Sequence, residues 1–209
     1  MVRKSNSRSL LVAGAAPRRA QRRDARRDEI LRAAAAIFRT RGFTDTGMRD
    51  IAEAAALSPA NLYHYFRGKD EILFYCQDRA LDRMLDSIAS ARRQRTSVPE
   101  RLHIVLTSHL EVMLDEVEGA TAHLQTDALP PALRTRIVKK RDRYEQELRA
   151  LIVTGVTRGE CVAPDPALAA RAMLGALNWT VTWFNPAGPK TAADIADRIA
   201  TLLVRGVRS

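Results

Sequence analysis

Ser58-Pro59-Ala60-Asn61, followed across Leu62 by Tyr63, His64 and Tyr65 and closed by Lys69, gathers the chemistry of nucleic-acid recognition into one short run. An asparagine amide can pair bidentately with adenine, Pro and Ala offer apolar contact to a thymine methyl, and a lysine binds phosphate. Catalytic chemistry has no comparable run. Cys76 and Cys161 are lone thiols, which implies neither a disulfide framework nor a paired-cysteine metal site. His64, His103, His109 and His123 lack metal-ligand spacing with carboxylates or cysteines. No glycine loop that cradles phosphate and no nucleophile elbow occurs. The reading is a protein that is not an enzyme and needs no cofactor and no metal.

The elements that must carry this run are short helices. Met48, Ile51, Ala52 and Ala55 recur at helical spacing and leave Arg49, Asp50 and Glu53 on the opposite side. After Ala56-Leu57, Ser58 is a natural N-cap and Pro59 a natural first helical residue, whose missing N–H would be unbonded there anyway. Leu62 and Phe66 then face inward together, and Asn61, Tyr63 and His64 cannot share their face. Tyr65 borders the inward face, so it is either core or contact. Two short helices joined by a tight turn, the second presenting its N-terminal residues outward, form the helix-turn-helix arrangement for major-groove reading.

The run Gly42-Phe43, Thr46, Met48-Arg49-Asp50-Ile51-Ala52, Ser58-Pro59, Leu62-Tyr63, Tyr65-Phe66 and Lys69 resembles the DNA-binding domain of the TetR family of bacterial repressors. The resemblance implies that Ser58, Pro59, Ala60 and Asn61 enter the groove. Tyr63, His64 and Tyr65 would touch phosphates or thymine methyls, Lys69 would hold the DNA backbone, and Thr46 and Arg49 would anchor the earlier helix to it. Two positions depart from the family pattern. Gly47 stands where Ser or Thr is common, and Ala56 stands where a Gly usually makes the turn. An alanine held at positive φ there costs about 1 kcal/mol.

The 209 residues hold 46% hydrophobic and 28% charged residues, values of a globular chain with room for a sizeable core. Lys and Arg number 34 against 24 acids, a net +10 that favours a polyanionic partner. Residues 1–27 are arginine-rich, with Asp24 the only acid, so mutual repulsion predicts a disordered arm. That arm is either a DNA contact beside the main site or a solvated tail. Its apolar Leu10–Ala16 stretch is too short and interrupted for an export signal, and the twin arginines follow it. The helix-turn-helix domain spans 28–69, its first helix lined by Ile30, Ala34, Ile37 and Phe38 and ended by Gly42.

Residues 70–209 form a second, helical domain for effector binding and dimerisation, making the chain all-α. Helical patterns run over Asp70–Arg92, Pro99–Val117, Ala132–Arg158, Ala167–Trp183 and Ile195–Leu203, with no strand alternation and no apolar span long enough for a membrane. The Ala167–Trp183 segment is so apolar that it must be buried, within the fold or against another subunit. Leu106, His109, Leu110, Met113, Tyr144, Leu148, Trp179 and Trp183 are the candidate effector-pocket residues. His109 is either a satisfied polar residue on an apolar face or a ligand contact.

The family resemblance implies homodimerisation through the last two helices and a palindromic DNA operator, in the cytoplasm. It also implies that the Asp70–Arg92 helix transmits effector binding to the DNA-binding domain. Asn178-Trp179, Trp183-Phe184-Asn185-Pro186, Gly188-Pro189 and Thr191–Ile195 resemble a subgroup that represses degradation pathways and responds to CoA thioesters. Arg134, Arg136, Lys139, Lys140, Arg141 and Arg143 would then be placed to meet a CoA phosphate, or form a solvated basic face. A hydrophobic drug or metabolite is the alternative effector. A sequence-nonspecific DNA-packaging protein and an apolar carrier are readings of different classes.

Overall fold

The computed structural model describes residues 15–114 and 126–208, with side chains from residue 20 onward. The first helix, α1 (Ala15–Arg41), begins well before residue 28. This corrects the expectation of a disordered arm up to Arg27. Alanine, arginine and glutamine are strong helix formers, and two of the arginines are held by the fold. Arg26 pairs with Glu29 and donates to the Ala55 carbonyl at 3.0 Å. Arg27 lies 4.8 Å from the Phe66 ring centroid and 4.6 Å from that of Tyr75, a cation–π contact with each ring. The part of the expected arm before Ala15 lies outside the described residues. Gly42 ends the helix at φ +82°, where only glycine is unstrained, and its N–H returns to the Phe38 carbonyl at 2.9 Å.

Helix α2 (Met48–Ala54) starts from Gly47, whose N–H donates to Asp50 Oδ2 at 2.7 Å. The aspartate thus does part of the capping work that a Ser or Thr would share. Ala56 follows with φ 51°, the only non-glycine residue at positive φ among the described residues. Its strain predicts that Ala56→Gly raises stability by up to about 1 kcal/mol, read as a higher urea midpoint with DNA affinity unchanged. Helix α3 (Pro59–Tyr63) opens on Ser58, whose Oγ accepts the Asn61 N–H at 3.2 Å. Leu62 is fully buried beneath it, and Phe66 just after it.

Helix α4 (Lys69–Arg93) runs from this unit into the second one. Leu73, Cys76, Ala80, Met84, Ile88 and Ala91 form its buried stripe, and the Arg79–Asp28 ion pair ties it to α1. Then come α5 (Val98–Leu114), a 3₁₀ turn at Thr126–Ala128, α6 (Pro131–Thr157), α7 (Pro166–Trp183) and α8 (Ala192–Arg205). Residues 115–117 of the expected Pro99–Val117 helix, and His123, lie outside the described residues. Helix α5 is central: it packs on α4, α6 and α7, and most extensively on α8. Asp165 caps α7 by accepting the Ala167 and Leu168 N–H groups, and Thr191 and Asp194 cap α8 reciprocally.

Gly155 lets α6 approach the loop after it, because a Cβ there would sit 2.5 Å from Cys161 Sγ and 2.9 Å from Val98 Cγ1. The architecture is all-α; among the described residues one isolated antiparallel bridge joins Cys161 to Arg208, and the neighbouring Val162 N–H meets the Val207 carbonyl at 2.7 Å. Among the described residues no helix is long and apolar enough to cross a membrane. Helix α7 is less buried than its composition suggests. Ala170, Met173, Leu177 and Thr180 are inside, whereas Leu168, Trp179 and Trp183 are exposed.

Candidate nucleic-acid interface and ligand cavity

Burying Leu62 and Phe66 turns the other side of α3 outward. Ser58, Pro59, Ala60, Asn61, Tyr63 and His64 are exposed there, and Arg49 is exposed on α2. Tyr65 is half-buried and packs against the core. The early part of α1 comes alongside: Arg22 and Arg23 frame an open cleft with Leu57, Asn61, His64 and Tyr65. These two arginines were visible in the sequence only as members of a charge run. The helical continuation of α1 is what brings them to the recognition helix.

Two candidates are placed differently from the sequence expectation. Thr46 is 1% exposed, and its hydroxyl donates to the Gly42 carbonyl at 2.6 Å, so it closes the α1–α2 loop rather than facing outward. Lys69 donates to the carbonyls of Phe43, Thr44 and Thr46 at 3.0, 3.2 and 3.1 Å, with its ammonium 4.6 Å from the Phe43 ring centroid. Its three N–H donors are occupied within the protein. A lysine has no others, so a phosphate-binding role is withdrawn for Lys69, as a backbone-anchoring role is for Thr46.

In the second unit a cavity of about 320 Å³ opens between α4, α5, α6 and α7. His109, Met113 and Tyr144 line it, together with Leu81, Met84, Arg141, Asp142, Glu145, Leu174 and Asn178. Leu106, Leu110 and Leu148 are buried in the surrounding core and are not part of the cavity wall. Trp179 and Trp183 are 66% and 50% exposed and belong to the outer face of α7, which removes them from the pocket. Asn178 lies on α7 one turn after Leu174, and both reach the cavity. Trp179, one residue on, is rotated away by about 100°.

Of the basic residues on α6, only Arg141 lines the cavity. Arg134 pairs with Asp127 at 2.6 Å, and Arg136 covers the Phe74 ring at 4.5 Å. Lys140 bridges to Asp78 and Asp82 on α4 at 2.6 and 2.7 Å, while Lys139 and Arg143 face solvent. His109 Nδ1 lies 3.2 Å from the Tyr144 hydroxyl. Burial pushes the imidazole down to about 4, opposed in part by the Asn178 side chain, and burial pushes the Tyr144 phenol up. Desolvation also lowers the Arg141 guanidinium, with Asp127 opposing. Among the described residues no cluster of His, Cys, Asp and Glu could hold a metal ion.

Residues 30–76 match the family described as bacterial regulatory proteins, tetR family, and residues 95–207 match the tetracyclin repressor-like C-terminal domain. The chain belongs to the TetR family. The KstR2 repressor of Mycobacterium tuberculosis H37Rv is 28% identical over 192 residues, covering 88% of this chain and 94% of that one. The structure of the TetR regulator PfmR from Thermus thermophilus is similar with a TM-score of 0.77 and 34% identity, over 84% of this chain and 97% of that one. AibR, solved in complex with isovaleryl coenzyme A and operator DNA, aligns with a TM-score of 0.73 at 25% identity, over 86% and 98% of the two chains.

This TetR-family protein is therefore a ligand-responsive transcriptional repressor and not an enzyme. Its family binds operator DNA, dimerises and takes small-molecule ligands. Within that frame α2 and α3 are the helix-turn-helix, and α4 is the element shared between it and the cavity.

Proposed function

We propose that this TetR-family repressor holds a palindromic operator as a homodimer, in the cytoplasm, and is released by a CoA thioester of a catabolic pathway bound between α4, α5, α6 and α7. The cavity carries the reading: Leu81, Met84, Met113 and Leu174 supply apolar wall for an acyl chain, and Arg141 supplies a cation beside it. That combination suits an amphipathic, anionic ligand, and the similar AibR was solved with such a molecule. Dimerisation through α7 and α8 is supported by Leu168, Trp179, Trp183 and Leu202, large apolar side chains left exposed on these helices.

The mechanism is a population shift. Leu81 and Met84 belong to α4, and so does Lys69, which is bonded to the α1–α2 loop. A ligand that prefers one position of α4 therefore biases the spacing of the two recognition helices, in proportion to its unequal affinity for the two states.

The test is binding to the DNA flanking the protein's own gene, with and without acyl-CoA thioesters and their free acids. Release by thioesters alone is the expected result. Release by free acids or hydrophobic drugs alone would replace the CoA reading with a drug or metabolite sensor, and sequence-blind, steeply salt-dependent binding would remove the operator. In the same assay Asn61→Ala should weaken operator binding roughly tenfold per half-site and relax preference at one base pair, because it removes a base-edge contact.

A further inference from the structure

The imidazole of His109 is a buried polar group on the cavity wall with one ring nitrogen left unbonded. It is 4% exposed, it lines the cavity, and its Nε2 has no hydrogen-bond partner among the described residues. Its other nitrogen meets the Tyr144 hydroxyl. Two proton arrangements are open to this pair. If Nδ1 carried the hydrogen and donated to the phenol oxygen, both the phenol hydrogen and a bare Nε2 would need partners. If the phenol donates to Nδ1, only the Nε2–H is left over. Buried donors and acceptors without partners are costly, so the second arrangement prevails.

We propose that His109 presents an Nε2–H donor to the cavity and selects effectors with an uncharged carbonyl oxygen at that point, Tyr144 being the positioning residue that sets the tautomer. Asn178, from α7, lines the same cavity beside the imidazole without bonding its Nε2, and turning its amide N–H₂ to the ligand would add a second donor, from a second helix, to the same oxygen. A thioester, ketone or amide carbonyl fits this cradle. A carboxylate fits it differently, because a full negative charge draws a proton onto the imidazole. The other titratable groups on the cavity wall are Arg141, Asp142 and Glu145, all from α6, while α4 contributes only Leu81 and Met84. The inference rests on the reading of the cavity as the effector site.

The experiment uses the full-length protein and three probes: isovaleryl-CoA, its thioether analogue isopentyl-CoA in which the carbonyl is a methylene, and 4-methyl-2-pentanone. In the free protein at neutral pH, the nitrogen resonances of His109 should show a protonated Nε2 and a bare Nδ1. The opposite tautomer overturns the proposal. The ketone should shift the Nε2–H resonance, and the thioester should bind about tenfold tighter than the thioether, as expected from the net gain of one neutral hydrogen bond.

His109→Leu should erase that preference and His109→Gln, which keeps an N–H donor, should recover part of it. Affinity for the thioester should stay flat between about pH 5.5 and 8, where a carboxylate ligand would bind more tightly as pH falls. A resonance that neither ketone nor thioester moves overturns the proposal. So does DNA release by thioester and thioether alike, in which case the CoA reading survives alone. A response to the ketone without any to isovaleryl-CoA would uphold the cradle and remove CoA.

Discussion

Lys69→Met is expected to lower the stability of the DNA-binding unit by about 3 kcal/mol and to weaken operator binding through that loss. A hydrogen bond to a charged group contributes roughly 1.5–3 kcal/mol, and the ammonium makes three, to the carbonyls of Phe43, Thr44 and Thr46. Partial exposure reduces their sum, and the methionine retains the apolar contact with the Phe43 ring. Lys69 is also the first residue of α4, where the helix dipole disfavours a cation. Its place there is intelligible only through the carbonyls it gathers.

The measurement is urea unfolding followed separately in the two halves of the chain, alongside the salt dependence of DNA binding. A phosphate-contacting lysine would leave stability unchanged and reduce the salt slope by about one. That outcome would reverse the structural assignment. The expected one would make Lys69 the tether through which movement of α4 is felt by the α1–α2 loop.

Acidification is expected to destabilise the folded protein by up to about 3 kcal/mol per protomer through His109 alone. In the unfolded chain the imidazole titrates near 6.5, whereas the fold holds it neutral down to about 4. Between these values the unfolded state binds the extra proton. Stability therefore rises with pH across that window, is lost as pH falls through it, and is insensitive to this group above it. Unfolding free energies of the parent protein and His109→Leu at pH 7.5, 6 and 5 test this. The variant loses the Tyr144 hydrogen bond and starts lower, so the slope is the quantity to compare. Equal slopes would mean that His109 titrates in the fold as it does in the unfolded chain, and a reversed slope that the fold holds it protonated.

Local patterns were enough to locate the helix-turn-helix. Ser58 and Pro59 start a helix wherever they precede a helical stretch, because capping involves only the residues of that turn. Leu62 and Phe66 mark an inner face by spacing alone, and the exposure of Asn61 and His64 follows from it. The strained Ala56 was legible for the same reason, since a tight turn constrains its own φ. The all-α class and the breaks between the later helices were also written locally, in periodicity, prolines and caps.

Other features depend on partners distant in the chain. Thr46 and Lys69 have the residue types of DNA contacts, and only the packing of α4 against the α1–α2 loop, 26 residues away for the Phe43 carbonyl, turns Lys69 inward. Arg22 and Arg23 became interface candidates because α1 begins well before residue 28 and brings them beside α3. In α7 nearly every side chain is apolar, so periodicity carries no mark of which face is inside. The tertiary fold buried Met173 and Leu177, turned Asn178 to the cavity and left Trp179 outside. Local sequence settles what the backbone of one turn or one helix enforces. Which cations are neutralised, which polar atoms lack a partner and which apolar face stays open were decided by tertiary packing, because each is a property of the surroundings and not of the residue.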